Sequence, residues 1–235
     1  MKKILSSLIA VSLVMGLCSC SEKSSSESES SSRISTAPLD AELIGTWMND
    51  LNGYKFGENR KVSLVVDYSE NAHFTADGAF QTMNALIPKE NVEYDGNRIF
   101  VTNTAYSEEY SEDLTSVLID MVRLDEENTE TFDGHYHILG GVATDVLAEQ
   151  LGFAPEKFYF EADVEGEKLV IYMTDCFDYE TIDGKIDIFS DLLNYKDESA
   201  DALSYEYKID NDTLTMTLQG VDGVAPEVYQ KVEEN

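Results

Sequence analysis

One short turn pattern recurs along the chain and constrains its fold more than any other feature. The segments VEYDGNRIFVT from Val92, ADVEGEKLVIY from Ala162 and YKIDNDTLTMT from Tyr207 share one order of residue types. Each has a hydrophobic residue, an acidic residue and Gly or Asn, followed by a new run of alternating hydrophobic residues. Gly and Asn adopt the positive φ that tight hairpin turns require. The pattern therefore predicts β-hairpins within an antiparallel sheet.

Other segments alternate in the same way. KVSLVVDY from Lys61 and AHFTADGAFQTM from Ala72 predict strands, with Asp77–Gly78 as a turn, and IDGKIDIF from Ile182 is a shorter hairpin. Short strands joined by Gly and Asp turns are typical of barrels and sandwiches. We predict a mainly β domain over residues 39–235, either an antiparallel barrel or a strongly bent sheet with a small helical insertion.

Three segments predict helical structure. GVATDVLAEQLG places four hydrophobic residues on one helical face and ends at Gly152, which predicts a helical insertion near residues 141–152. A short helix is predicted near Glu108–Leu114, followed by a strand over Ser116–Leu124. A further helical turn is predicted around Phe189–Tyr195.

The N-terminus has the features of a secretory signal. Lys2 and Lys3 precede an apolar run from Ile4 to Leu17. The run is too short for a membrane-spanning helix, which needs about 20 apolar residues. Residues 1–19 are therefore predicted to form a signal peptide.

The signal ends in Leu17-Cys18-Ser19-Cys20, which resembles the bacterial lipobox. In that motif a leucine lies three residues before the lipidated cysteine and a small residue precedes the cut. The resemblance implies cleavage after Ser19 and acylation of Cys20. Cys18 fits less well, because Leu17 would then occupy the position of the small residue. The alternative is an ordinary secretory signal with two incidental cysteines.

A Ser- and Glu-rich segment separates this signal from the first tryptophan. Residues 20–38 contain Ile34 as their only large apolar side chain, so they cannot bury enough surface to offset the entropy of ordering. We predict a disordered tether that reaches roughly 25 Å as a coil. Together with an acylated Cys20, it would hold the domain at the extracellular side of the cell membrane.

The charge balance excludes one class of partner. The 235-residue chain has 46 acidic and 16 basic residues and a formal net charge of −30. Such a field repels nucleic acid phosphates and anionic lipid head groups, so we predict no nucleic-acid partner. It favours cationic partners or serves solubility alone.

The cysteines predict no disulfide within the mature chain. If Cys18 leaves with the signal and Cys20 is acylated, Cys176 has no partner. We expect Cys176 to be a buried, unreactive residue.

The only tryptophan lies in ELIGTWMND, where Gly45 and Trp47 resemble the Gly-x-Trp signature of lipocalins and related barrels. The resemblance implies an antiparallel barrel whose tryptophan closes one end and whose other end is a ligand mouth. Thr174-Asp175 resembles a later Thr-Asp-Tyr segment of that family, although Cys176 replaces the tyrosine. The family's arginine that stacks on the tryptophan has no match, since the terminal EVYQKVEEN offers only Lys231. The terminal YEYKIDNDTLTMTL…VYQKV resembles the ending of the lipocalin-like domains common in lipoproteins of Gram-positive gut bacteria, and the resemblance covers residues 43–235 loosely.

His135 and His137 are the candidate metal ligands. Two residues apart on a strand, they share a face, and with a carboxylate such as Asp133 they could hold a divalent metal. The alternative places Tyr136 and Ile138 in the core and both histidines in solvent. No third or fourth ligand is evident, so the sequence assigns no metal.

No motif indicates catalysis. The chain lacks a nucleophile elbow, a P-loop, a zinc-protease helix and a Gly-rich dinucleotide loop. We therefore predict a non-catalytic protein without a cofactor, which binds a small apolar or amphipathic ligand. The alternative is an envelope protein that binds another protein or the cell wall and has no small-molecule ligand.

Overall fold

The computed structural model describes residues 38–107, 112–126, 130–142, 144–145, 159–189, 203–221 and 223–233. The described chain is mainly β, which confirms the predicted fold class at that level. Its strands are, in chain order, β1 Gly45–Met48, β2 Asn52–Phe56, β3 Lys61–Asp67, β4 Ala72–Phe74, β5 Phe80–Thr82, β6 Leu86–Ile87, β7 Val92–Tyr94, β8 Arg98–Ser107, β9 Glu112–Arg123, β10 Gly134–Gly140, β11 Tyr159–Glu165, β12 Lys168–Ile182, β13 Lys185–Phe189, β14 Leu203–Asp210, β15 Thr213–Leu218 and β16 Glu227–Val232. A short 3₁₀ helix, Lys89–Asn91, precedes β7.

Eight strands are connected in a closed circuit of antiparallel pairings. Around the circuit the order is β1, β2, β3, β12, β13, β14, β15 and β16, and β16 pairs again with β1. The circuit closes because β12 pairs with β3 on one edge and with β13 on the other. We call these eight strands the ring. The main sheet is thus ring-like without forming a clear barrel.

The remaining strands of the main sheet form an arm that leaves the ring at β12. Its order is β11, β10, β9, β8 and β7, and every pairing is antiparallel. A separate three-stranded sheet, β4 to β6, contributes Phe74 and Phe80 to the core. The Phe74 ring lies 4.7 Å from Phe132, which follows β9, so this small sheet packs on the arm. One buried hydrophobic cluster contains residues of both the ring and the arm.

The predicted hairpins are confirmed at their turns. Gly96, Gly166 and Asn211 have φ of 93°, 57° and 53° and connect β7 to β8, β11 to β12 and β14 to β15. The shorter variant is also a hairpin, with Asp183 and Gly184 at φ of 50° and 76° between β12 and β13. The positive φ explains why each turn uses Gly, Asn or Asp.

The helix predictions have a different outcome. Most of residues 141–152 lie outside the described residues; within the described part, Asp145 N–H donates to Gly141 O at 3.1 Å. The predicted short helix at Glu108–Leu114 is wrong over Glu112–Leu114, which begins β9. Backbone pairing with β8, as in Leu114 opposite Ala105, overrides the local helical pattern there. The turn predicted at Phe189–Tyr195 lies outside the described residues apart from Phe189, which ends β13.

Trp47 is fully buried at one end of the ring. Its indole Nε1 donates to Leu43 O at 2.7 Å, and Lys231 of β16 places its Nζ 5.0 Å from the centroid of the indole ring. Lys231 Nζ also donates to Glu42 O at 3.2 Å. Gly45 has a φ of 124°, and a Cβ there would lie 3.2 Å from Lys231 Cε. Lys231 therefore places a cation over the face of the indole ring.

The chain before β1 closes this end of the ring. Leu43 is fully buried beside Trp47, and Tyr207 OH donates to Asp40 Oδ2 at 2.6 Å. Tyr179 OH donates to Gly57 O at 2.9 Å near the same end. We call this the closed end of the ring.

A buried arginine fixes the turns of the arm. Arg123 Nε donates to Gly96 O at 3.0 Å, and its Nη1 donates to Asp125 Oδ1 and Asp133 O, both at 2.8 Å. Its Nη2 donates to the hydroxyls of Tyr94 and Tyr136. Burial opposes the charge of Arg123, but the hydrogen bonds with Asp125 and Tyr94 and the interaction with Tyr136 together outweigh it, so the guanidinium pKa is raised. No sequence motif marks Arg123, because its partners come from separate turns of the arm.

Replacing the indole should destabilise the whole domain. We expect Trp47→Ala to lower the free energy of unfolding by about 3–5 kcal/mol, because it leaves a cavity and removes the hydrogen bond to Leu43. Urea unfolding followed by circular dichroism measures the change. Val228→Ala, on an exposed part of β16, is the control and should stay within about 0.5 kcal/mol. A loss below about 1 kcal/mol for Trp47→Ala contradicts the role of Trp47 in closing the ring.

Candidate functional site

The two histidines of β10 share the outer face of the sheet, as their spacing predicts. Tyr136 and Ile138, which alternate with them, are buried, whereas His135 and His137 are half-buried on the opposite face. The His137 ring stacks on Tyr159 of β11, with centroids 4.1 Å apart and planes inclined by 21°. His137 is therefore held against an aromatic ring of the neighbouring strand.

His135 forms an ion pair with Asp163 of β11. The two residues lie directly opposite each other in the β10–β11 register. His135 Nδ1 donates to Asp163 Oδ1 at 2.7 Å, and its Nε2 lies 3.6 Å from Glu161 Oε2. Asp133, the carboxylate that the sequence suggested, instead accepts a hydrogen bond from Gly166 N–H at 2.7 Å. The partner of His135 thus comes from the neighbouring strand.

A set of hydrogen bonds extends from this ion pair to β12. Tyr172 OH donates to Asp163 Oδ2 at 2.7 Å, and Thr174 Oγ1 donates to Glu161 Oε2 at 3.0 Å. Lys55 of β2 places its Nζ 5.9 Å from the centroid of the Tyr172 ring. Carboxylates, a phenol and an ammonium are thereby held together on one face of the sheet.

A bulge in β12 builds the other side of this site. The pairing of β12 with β3 shifts between Met173 and Phe177, and Asp175 within the bulge has a φ of 50°. Asp175 N–H donates to Ser63 Oγ at 2.9 Å, and Asp175 Oδ2 accepts from Asn59 Nδ2 at 3.0 Å. The bulge therefore directs a carboxylate toward the turn between β2 and β3.

These groups line a groove of about 400 Å³, which we call the polar groove. Side chains from β2, β3, β10, β11 and β12 form it, together with the turn after β2. The volume lies within the range of about 300–1,000 Å³ that is usual for small-molecule sites. Besides the phenol of Tyr172, its charged and titratable residues are Lys55, Glu58, His135, Glu161, Asp163 and Asp175. Four carboxylates thus face one lysine and one histidine.

The ion pair shifts the pKa of both its members. The hydrogen bond to Asp163 raises the pKa of His135, with further contributions from the charges of Asp163, Glu161 and Asp125, while burial opposes the increase. For Asp163, burial acts to raise the pKa. The hydrogen bonds from His135 and Tyr172 outweigh burial, so the Asp163 pKa is lowered. Both shifts favour the charged pair.

The metal hypothesis for His135 and His137 depends on finding further ligands among the described residues. Within the part of the chain that the structure describes, no group of three or more His, Cys, Asp or Glu side chains has an arrangement that could hold a metal ion. The third histidine, His73, lies on β4, with its Nδ1 3.0 Å from Ser69 O. The sequence hypothesis of a metal at His135 and His137 therefore receives no third ligand from the described residues.

Cys176 is buried, as predicted. Its Sγ lies 3.4 Å from Val62 O, and burial raises the pKa of the thiol to about 12. A thiol with a raised pKa is a poor nucleophile, because the thiolate is the reactive form. Ser19 and Cys20, the predicted cleavage and lipidation residues, lie outside the described residues.

Aromatic side chains fill the described interior of the ring. The Tyr54 ring lies 5.5 Å from Tyr229 and the Phe56 ring lies 5.1 Å from Tyr179, both in edge-to-face geometry. Tyr229 OH donates to Glu227 Oε2 at 2.6 Å. Several inward side chains have no accessible surface, so no water-sized space lies against them: Trp47, Val62, Ile186, Leu214 and Met216.

Sequence reasoning missed most of the polar groove. Glu161, Asp163, Tyr172 and Thr174 occupy alternate positions of β11 and β12, and polar residues at the outward positions of alternating strands are the available signal. The pattern cannot show that these positions meet a turn more than 100 residues away, as Asn59 meets Asp175 at a separation of 116 residues.

Comparison with known proteins gives no relative for this chain. No protein-family model, no curated protein and no solved structure matches it. Among the described residues, no helix has the length and apolar character needed to cross a membrane.

The ion pair of His135 predicts a pH-dependent stability. Because the folded pKa of His135 is raised, its contribution is complete below the unfolded value of about 6.5 and is lost as the pH rises through the folded value. The stability advantage of the wild type over His135→Gln should therefore be largest below about pH 6.5 and shrink as the pH rises above it. Since His135 is partly exposed, we expect an effect below about 1 kcal/mol. Urea unfolding at a series of pH values measures it.

Asp163 supplies the control for this prediction. In an Asp163→Asn background, His135→Gln should change the pH profile much less, because the ion pair is already absent. An advantage of the wild type that grows with increasing pH contradicts the assignment.

Proposed function

We propose that the protein is a bacterial lipoprotein, held at the extracellular side of the cell membrane by acylated Cys20, whose β domain binds a small molecule and performs no catalysis. The proposed anchor is supported by the signal over residues 1–19. The proposed distance between the β domain and the membrane is supported by the tether over residues 20–38. The observation that carries the binding role is the polar groove of about 400 Å³ on the outer face of the sheet.

The β domain fits a lipocalin-like barrel with an insertion. An up-and-down barrel of eight strands has neighbours that follow one another in sequence. The ring has that order when β4 to β11 are treated as one insertion between β3 and β12. Trp47 at the closed end, with Lys231 over its ring, supports the same assignment.

The insertion also accounts for a departure from the lipocalin pattern. The resemblance places Thr174-Asp175 in a later strand than Trp47, at a longer separation than the family usually has. Residues 68–167, between β3 and β12, contain the whole arm and the small sheet. Their removal would bring the two motifs close together in sequence, in neighbouring parts of the ring.

The packing of the ring favours a ligand on the outer face. At the closed end, the exposed fraction of Phe56, Ile186 and Leu214 is at most 1%. This end therefore has no room for a ligand. The small apolar or amphipathic ligand expected from the sequence stays a prediction. It would have to lie farther from the closed end, beside the half-buried Tyr54 and Leu64.

Lipidation is tested by replacing the cysteine. Cys20→Ala should release the protein to the medium or leave the precursor uncleaved, because no thiol remains for acylation. Membrane fractionation and immunoblotting of the source cells measure this. Cys18→Ala is the matched control and should remain in the membrane. Retention of Cys20→Ala together with release of Cys18→Ala would show that the anchor is assigned to the wrong cysteine.

Ligand binding is tested on protein isolated from source membranes in mild detergent. Native mass spectrometry should show one small polar molecule per chain. Glu161→Gln should lower the occupied fraction, because it removes a carboxylate from the groove. Glu206→Gln, an exposed residue of β14, changes the net charge equally and should have no effect. An apolar molecule retained by both variants would favour the interior of the ring, and the absence of any molecule contradicts the binding role.

A further inference from the structure

We propose that the protein forms a two-fold dimer in which strand β8 of one copy pairs with strand β8 of a second copy. The pairing surface is the backbone edge of residues 103–107, which we call the free edge. The dimer is independent of the polar groove, of the membrane anchor and of the lipocalin-like fold.

Strands β8 and β9 form a hairpin that extends beyond the rest of the arm. Strand β7 pairs with β8 only as far as Val101, and β10 pairs with β9 only over residues 120–123. Beyond these points, residues 102–107 and 112–117 pair with each other and with no other described strand. Residues 112–117 are exposed on both faces of the hairpin. Two strands without a packed face are only marginally stable in water, so this hairpin gains from a further strand.

The free edge is the longest uncharged edge among the described strands. The ring has no outer strand, because its eight strands close on themselves. Strand β7, at the end of the arm, has three residues and includes Glu93, and the outer strands of the small sheet have three and two residues. On β8, Asn91 Nδ2 donates to Thr102 O at 3.4 Å. From residue 103 to residue 107, β9 is the only described strand that pairs with the backbone.

The composition of the free edge leaves it open to another strand. Natural sheets protect exposed edges with charged side chains, with proline or with very short strands. Residues 103–107 read Asn-Thr-Ala-Tyr-Ser and contain neither charge nor proline, although 26% of the chain is charged. The opposite edge of the hairpin, on β9, contains Glu112 and Asp113. The edge of β8 is therefore the one that can accept a strand.

Charge favours a second copy as the occupant. A cationic strand would gain nothing from an uncharged edge, whereas two chains of net charge −30 can approach closely only through uncharged groups. An antiparallel pairing centred on the exposed Ala105 sets residue 103 opposite residue 107 and residue 104 opposite residue 106. No charged side chains then face each other. Each free edge supplies the N–H and C=O groups that the other lacks, as an isologous two-fold contact requires.

The size of the contact predicts a weak dimer. At about 3.4 Å per residue, the free edge is roughly 17 Å long. A single pair of strands of this length buries less than the roughly 1,200 Å² that stable complexes need. We therefore expect a reversible dimer that dissociates on dilution.

Sedimentation of the full chain in density-matched detergent tests the dimer. We expect a species of twice the chain mass whose fraction rises with chain concentration over about 10–500 µM. Ala105→Lys should raise the dissociation constant at least about tenfold, because two lysines then face each other across the two-fold axis. Gln230→Lys, on an exposed position of β16, changes the net charge equally and should not weaken the dimer.

The direction of the Ala105→Lys effect separates edge pairing from general electrostatics. By net charge alone, an added lysine lowers the repulsion between two negative chains and would strengthen the dimer. Ala105 is exposed, so its replacement should leave the urea midpoint of unfolding unchanged, which checks that the variant is folded.

Cysteine cross-linking gives a second measurement. Residues that face each other on paired antiparallel strands have Cβ atoms about 5 Å apart, so a short bismaleimide should link two copies of Ala105→Cys. Gln230→Cys is the matched control and should link much less. The wild type, which contains the same native cysteines, is the blank.

Three results would overturn the dimer. One is a wild type that stays monomeric over the whole concentration range, whether or not another protein occupies the edge. Another is equal association of Ala105→Lys and Gln230→Lys, which would show that two chains only share a detergent micelle. The third is equal cross-linking of Ala105→Cys and Gln230→Cys, which would place the contact away from β8.

Discussion

Strand β12 is the element on which the rest of the structure depends, because it belongs to the ring and to the arm. Its first half pairs with β11 and β3, and its second half pairs with β3 and β13. Between the halves, the bulge at Asp175 interrupts the alternation, so Cys176 and Phe177 are both buried although they are neighbours. A bulge bends its strand and increases the local twist. This bend allows one strand to close the ring and also to start the arm.

The same bend creates the polar groove. Without the two extra residues in β12, the carboxylate of Asp175 would follow the regular alternation and would not meet Asn59. Ser63, a buried polar residue of β3, accepts a hydrogen bond from the backbone N–H of Asp175, which the bulge removes from the ladder. The positive φ of Asp175 is a conformation that Asp adopts more readily than most residues. The local irregularity that shapes the fold thus also brings the acidic side chains together.

The local parts of this structure follow from the sequence and the long-range parts do not. Hairpins at Gly96, Gly166 and Asn211 are encoded by adjacent residues, since turn chemistry fixes them without help from the core. The strand at Glu112–Leu114 was missed because its partner in β8 decides its conformation. The ion pair of His135 with Asp163 and the position of Lys231 over Trp47 depend on strand register, which a single sequence does not reveal. The spacing of His135 and His137 correctly predicted a shared face, but the carboxylate beside His135 comes from another strand.

The closed end of the ring also determines how the domain responds to force. A pull on the chain at Pro38 acts first on Asp40 and Leu43, which are joined to Tyr207 and Trp47 by hydrogen bonds. Behind them, β1 is paired on both edges, with β2 and with β16. Force directed along β1 loads these two ladders in shear, so their bonds must break together and not one after another. Tension on the chain at Pro38 is therefore resisted by two strand ladders together.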